Sequence, residues 1–301
     1  MPDKTYRAVF FDLDGTLLPM DIDAFMSDYF RSLGAFVARF GVATEDFMAG
    51  MKAGIMGMVQ NDSGQPNATA FWPAFFSCVQ TPTPTGASQE ELRAAIDDFY
   101  ENDFGKLGAN VRPNPAVARA VNTLAEKGYP LVLATMPMFP RRAVEWRLAW
   151  AGVDPAVFSR ITTYQNSTAV KPKPNYYAEN LAAAGLAGEE VLMVGNNTKE
   201  DLAACKLSCD GYLVTDFLLD PEGFDISTVK SGTFEEFAAW VDTLPNCENP
   251  ATQISDAVVS ADARHAVLAA CGISDGAAGG NKTLEEAGKS GGANFKINGM
   301  E

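Results

Sequence analysis

The sequence predicts an α/β protein: a doubly wound parallel sheet, interrupted after its first strand by an all-helical insertion and followed by a C-terminal appendage. Three observations carry this. The run Tyr6-Arg7-Ala8-Val9-Phe10-Phe11 is apolar and β-prone, and it closes on Asp12-Leu13-Asp14-Gly15-Thr16, the pattern of a buried strand ending in a glycine turn. The next roughly 90 residues, enough for a small domain, repeat apolar side chains at helical spacing. From Pro113 onward strands and helices alternate, which requires crossover connections and a sheet covered on both faces.

Taken in order, Ile22, Phe25, Met26, Tyr29, Phe30, Leu33, Phe36, Val37 and Phe40 mark one long amphipathic helix. Thr44 to Gln60 continues in that style, Asn61 to Asn67 is a turn-rich break, and Ala68 to Gln80 adds a helix carrying Phe71, Trp72, Phe75 and Phe76. Thr81-Pro82-Thr83-Pro84 stops it, and Ser88 with Glu91 forms a capping box for a helix reaching about Phe104. The Met and Phe excess is helix-packing material, with a smaller share suited to facing a substrate cleft. Beyond it the pattern predicts helices over Pro115 to Lys127, Pro140 to Trp150, Asn175 to Ala184 and Lys199 to Leu207. Strands are expected at Leu131 to Thr135, Ile161 to Tyr164, Val191 to Gly195 and Tyr212 to Thr215, the last of them. Thr233 and Glu236 cap a final core helix to about Leu244. The expected division is therefore a core of 1–19 and 108–244, a helical insertion of 20–107, and an appendage of 245–301. In the appendage Ala257 to Ala270 reads as one helix, while Gly276 to Gly280 and Gly288 to Gly292 read as flexible.

Charge and cysteine usage narrow the functions. The net charge of −15, from 23 basic and 38 acidic residues among 301, argues against a nucleic-acid or anionic-membrane partner. It also denies an anionic substrate long-range attraction, so a phosphate site must build its own positive field. The five cysteines, Cys78, Cys205, Cys209, Cys247 and Cys271, form neither a disulfide framework nor a zinc spacing, which favours the reducing cytoplasm. Cys205 and Cys209, four apart on an expected helix, read as small buried thiols. No apolar run is long enough to cross a bilayer, and the first strand begins too early to leave room for a signal peptide. The single histidine, His265, lies in the appendage and reads as a surface residue, which disfavours Ser–His or Cys–His chemistry.

The strand ends gather a chemically coherent set. Residues two apart on a strand share a side, so Asp12 and Asp14 reach one place beyond it. Thr16 offers a hydroxyl and an N–H to an anion, and the next core strand delivers Thr135. The strand ending at Gly195 leads into Asn196-Asn197 and, on the following helix, Glu200-Asp201. Lys171 sits in Lys171-Pro172-Lys173-Pro174, where the prolines deny a helix. Carboxylates, a hydroxyl and a fixed lysine at one sheet edge suit an anionic oxygen substrate and a hard divalent cation. Arg141 and Arg142 read as surface or insertion-contact residues.

These residues resemble the four motifs of the haloacid dehalogenase-like (HAD) hydrolase superfamily: Asp12-Leu13-Asp14-Gly15-Thr16, Thr135, Lys171-Pro172 and Gly195 to Asp201, in order, with the match running from Tyr6 to about Leu244. The insertion is similar to that family's helical C1 cap, and Leu17 to Asp21 with Ile161 to Tyr164 look like a branch known simply as HAD family hydrolases. The resemblance implies a Rossmann-like core and a Mg²⁺-dependent phosphomonoester hydrolase acting on a small phosphorylated metabolite. Asp12 would be the nucleophile that becomes an aspartyl phosphate, and Asp14 the general acid and base. Thr16, Thr135 and Lys171 would bind the phosphate, while Asp12, Asp14 and Asp201 would hold Mg²⁺, with the cap closing over them.

The fourth motif departs from the family in one respect. Asn196 and Asn197 stand where an acid is usual, and as neutral ligands they imply weaker Mg²⁺ binding. Met136 stands where a polar residue often follows the threonine. Three other readings share the fold: a phosphotransferase or mutase, a 2-haloacid dehalogenase, and a weakly active or non-catalytic binding protein with a decayed metal site. The intact Asp-x-Asp pair disfavours the dehalogenase.

Overall fold

The computed structural model describes residues 5–274. Six strands form one parallel sheet: β1 (Ala8–Phe11), β2 (Leu131–Leu133), β3 (Phe158–Ile161), β4 (Val191–Gly195), β5 (Asp210–Val214) and β6 (Lys230–Gly232), in the spatial order β3-β2-β1-β4-β5-β6. β1 is central, with Phe11 opposite Leu133 on one side and Val194 on the other. The chain order reverses beside β1, and in such sheets the crevice beyond the strand ends there is where ligands bind.

Alternation along the strands sorts the core into two layers. Val9, Phe11, Leu131, Leu133, Leu192 and Val194 face one side, while Ala8, Phe10, Val132, Val191 and Met193 face the other. Four helices intervene between β1 and the next core helix: α1 (Ile22–Ala38), α2 (Thr44–Gln60), α3 (Asn67–Phe76) and α4 (Gln89–Asn102). Their apolar faces merge with the first layer, which also takes α5 (Pro115–Glu126), α6 (Arg141–Trp150) and α8 (Phe234–Thr243). The second layer is covered by α7 (Pro174–Ala184), the 3-10 turns of 201–207 and α9 (Ala261–Ala270). Ser88 and Thr233 cap α4 and α8 with complete capping boxes.

The turn-rich break in the insertion joins cap to core. The Asn61 amide donates to the Thr168 carbonyl (3.1 Å), and the Asn67 amide donates to the Ala169 carbonyl (3.1 Å). Asn67 N–H also donates to the Ser167 carbonyl (2.9 Å).

Several elements differ from the sequence reading. The third strand is Phe158–Ile161 and not Ile161 to Tyr164; Arg160 masked its apolar pattern, and Thr162 lies past the strand with its hydroxyl donating to the Leu133 and Thr135 carbonyls. β6 was missed because Lys-Ser-Gly at an exposed edge has neither length nor β-propensity. The expected helix of Lys199 to Leu207 is 3-10 and begins at Asp201. Cys205 is exposed, and Cys209 is buried but lies beyond that helix, so they do not form a pair of buried helical thiols. His265 is exposed on α9, as expected.

Residues 245–274 are packed against the core. Ala251 N–H donates to the Arg7 carbonyl (3.1 Å), Ser255 N–H donates to the Ala183 carbonyl (2.9 Å), and Leu268 is buried in the second layer. The glycine-rich stretches at 276–280 and 288–292 lie outside the described residues.

Candidate active site

β1 ends at Phe11, and the chain turns at once. Asp12 N–H still donates to the Val194 carbonyl (2.8 Å), while Gly15, at φ +82°, lets Gly15 N–H and Leu18 N–H close a tight loop. A Cβ on Gly15 would lie 2.3 Å from the Asn196 amide nitrogen, so glycine is needed both for the turn and for the approach of β4's end. Gly195 has a similar constraint, since a Cβ there would meet the Asp201 carboxyl at 2.2 Å. These two glycines let the first and fourth motifs close onto each other.

Lys171 occupies the centre. Its Nζ donates to Asp12 Oδ1 (2.7 Å) and to Asp201 Oδ1 (2.6 Å), with all three side chains buried or nearly so. Burial alone would lower the ammonium pKa, yet Asp12 and Asp201 outweigh it and hold the pKa well above its ordinary value. Burial pushes the Asp201 carboxyl up; Lys171 opposes the shift and the charge of Asp12 adds to it. Asp201 Oδ2 also accepts from Asn197 N–H (2.9 Å), which fixes its second oxygen. Glu200, beside it on the cavity wall, is pushed up to about 7, first by burial.

The other expected residues separate into engaged and available groups. Thr16 places its hydroxyl 3.0 Å from Asn196 Oδ1 and 3.4 Å from Asp12 Oδ2, so its proton is already directed at oxygen. Asn196 also donates its amide N–H to the Phe217 carbonyl (2.6 Å), and the second lone pair of its Oδ1 stays open. Asn197 Oδ1 accepts from Lys199 N–H and Glu200 N–H, both at 3.0 Å, and serves as a cap. Thr135 differs from these. Its carbonyl is held by the Thr162 hydroxyl (2.9 Å) and the Tyr176 hydroxyl (2.8 Å), whereas its own Oγ1 is buried on the cavity wall without a partner.

The sequence reading missed Arg147. On α6 it is buried, its guanidinium 4.5 Å from the centre of the Phe139 ring, and its Nη1 donates to Asp14 Oδ2. Its Nη2 and, separately, Asp14 Oδ1 are buried without a partner. Burial pushes the Asp14 carboxyl up, and Arg147 partly opposes this. A signal was present: Ala143, Val144, Arg147 and Leu148 form the buried stripe of α6, and an arginine on such a stripe needs a partner. Arg141 and Arg142 are the surface and cap-contact residues expected, pairing with Asp256 (2.7 Å) and Glu101 (3.0 Å).

A model of haloacid dehalogenase-like hydrolases matches residues 6–208. The chain belongs to that family. A curated phosphoglycolate phosphatase from Haemophilus influenzae (strain 86-028NP) is 29% identical over 207 residues, which cover 68% of this chain and 83% of the relative. Among solved structures, the 2-haloacid dehalogenase from Pseudomonas syringae pv. Tomato DC3000 superposes with a TM-score of 0.54 at 14% identity, covering 79% of this chain and 98% of that one. A HAD phosphatase from Thermococcus onnurineus gives 0.46 at 16% identity, over 82% and 100% of the two chains. The expected family and the Rossmann-like core with a helical cap are thus borne out, and this HAD hydrolase has no described helix long and apolar enough to cross a membrane.

Proposed function

We propose that this HAD hydrolase is a phosphomonoester phosphatase working through an aspartyl-phosphate intermediate. The observation that carries the reading is Lys171 bridging Asp12 and Asp201, with Asp12 and the unpartnered hydroxyl of Thr135 lining one cavity. A lysine ammonium and a free hydroxyl donor next to a buried carboxylate fit a phosphoryl group approached by that carboxylate.

In this reading the Asp12 carboxylate attacks phosphorus, forming an acyl phosphate as the ester P–O bond breaks. Asp14 gives its proton to the departing alkoxide. It then takes one from the water that cleaves the acyl phosphate, which frees inorganic phosphate and restores Asp12. Its upward shift through burial is the direction a general acid requires, and Arg147 orients the group. Thr135 and Lys171 hold the phosphoryl oxygens. Retention of a carboxylate at Asp14 favours this reading over dehalogenation, which displaces halide and needs no such acid.

The residues fit a hard divalent cation such as Mg²⁺. Two buried carboxylates, Asp12 and Asp201, share a single lysine, so one negative charge is left without a positive partner among them. Among the described residues no three acidic, histidine or cysteine side chains are grouped to ligate a metal. The remaining oxygens would therefore come from the Asp14 carbonyl and the Asn196 amide. Bound there, the cation would offset the like-charge encounter of carboxylate and phosphate.

The test is hydrolysis of a generic aryl phosphate and of phosphoglycolate, with and without EDTA, by the natural protein and Asp12→Asn. Metal-dependent phosphate release that the substitution abolishes is expected. Release unchanged in the variant would refute the reading.

A further inference from the structure

The cavity between cap and core has two chemically different ends. Its volume is about 290 Å³, room for roughly ten non-hydrogen atoms at the share a water molecule takes. At the core end lie Asp12, Asp14, Thr135 and Asn196. The cap end is walled by aliphatic and aromatic side chains from all four of its helices, among them Met26, Tyr29, Met51, Ile55, Phe71 and Ile96. Arg147 is the one cation among the described lining residues, and it lies at the core end, where its Nη1 donates to Asp14. The two tyrosine hydroxyls facing each other across the cap, Tyr29 and Tyr100, are bonded together at 2.6 Å. Asp23 adds only negative charge.

Such a wall discriminates by what it cannot satisfy. A second carboxylate or phosphate on the substrate would be desolvated without a counter-charge, and a polyol would leave hydroxyls unpaired. An apolar body would gain from each group taken out of water. Resting on the phosphatase reading, we propose that the ester's alcohol is an uncharged apolar body, a medium-length alkyl chain or an aryl group, seated against the cap helices with the phosphate at the core end, at Asp12 and Thr135.

Two measurements test the proposal and keep it separate from the reading on which it rests. The first compares kcat/KM for n-alkyl phosphates from ethyl to octyl, for naphthyl phosphate, and for glycerol phosphate, a hexose phosphate and a small carboxylated phosphate ester. A rise of about three- to fourfold per methylene is expected until the cavity is full, with naphthyl phosphate far above the polar esters. A flat series, or preference for the carboxylated or polyhydroxylated esters, would overturn the proposal while leaving the phosphatase reading intact.

The second measurement is calorimetric binding of octylphosphonate against methylphosphonate, which cannot be hydrolysed. Chain-length-dependent binding with no ester turned over would support the apolar seat and refute hydrolysis. Absence of any length dependence in binding would count against the seat directly. Met26→Lys, at a half-buried position where a long side chain can carry its charge to water, should lower octyl phosphate turnover about tenfold and raise that of the carboxylated ester. An unchanged ratio of the two esters in a folded Met26→Lys protein would contradict the proposal.

Discussion

Two clusters of buried charge lie on this sheet, and they are built differently. Around β3 and α7, Arg160 donates to Asn180 Oδ1 (2.8 Å) and to the Ser255, Ala257 and Asn166 carbonyls. Nearby, Glu179 accepts from the Thr168 hydroxyl (2.7 Å) and N–H (3.0 Å), and Arg264 of α9 donates to that same hydroxyl (2.9 Å). Those bonds fasten residues 245–274 to the core. At the switch point, by contrast, Thr135 Oγ1, Asp14 Oδ1 and Arg147 Nη2 are buried without partners, and two carboxylates compete for Lys171. Leaving a buried polar atom unpaired costs about 1–3 kcal/mol. The first cluster uses most of its polar atoms in internal bonds that fasten the chain, whereas the second keeps three open, as the proposed phosphate site requires.

Substitutions can break or sharpen that contrast. The largest effect is expected from Asp12→Asn, with phosphate release falling roughly 10³-fold or more while thermal unfolding stays within a few degrees. A large loss of stability with modest loss of turnover would make this cluster structural, like its counterpart. Lys171→Met should cost about 3–5 kcal/mol in urea unfolding at pH 7, since Asp12 and Asp201 are left buried without a counter-ion. The cost should shrink as pH falls toward 5, because burial holds the Asp201 carboxyl above its ordinary range and favours its protonation.

Glu179→Gln tests the structural cluster. Burial raises the Glu179 pKa from its ordinary 4.5 to about 7, so the protonated form is favoured in the fold. Its contribution is fully present below pH 4.5 and is lost as pH rises through about 7, on the order of 2–3 kcal/mol. Subtracting the variant's stability curve from that of the natural protein should isolate this fall, with turnover per folded molecule unchanged. The smallest effect is expected at the fourth motif. Asn196→Asp should tighten Mg²⁺ about tenfold, read as a Mg²⁺-dependent rise in melting temperature, because an added charge strengthens an oxygen site. Asn197→Asp should not, since that side chain caps the following turns.

Legibility followed the range of the interactions involved. α2 (Thr44–Gln60), β4 (Val191–Gly195) and the capping boxes at Ser88 and Thr233 match the sequence reading because apolar period and capping are written within a few residues. β6 and the register of β3 were not legible, because their hydrogen-bond partners lie on other strands and their side chains show no period. Arg147 was legible only as an anomaly on a buried stripe, and its partner is 133 residues away.

By itself, then, the sequence determined the sheet-and-cap architecture and the set of acids, hydroxyl and lysine at the strand ends, since local periodicity and strand-end chemistry are properties of short segments. Which of those groups are engaged and which left open was decided only in three dimensions. The pairing of Lys171 with two acids, the capture of Asp14 by Arg147 and the apolar wall above them depend on contacts between residues far apart in the chain, where burial, not sequence, sets the energy of each charge.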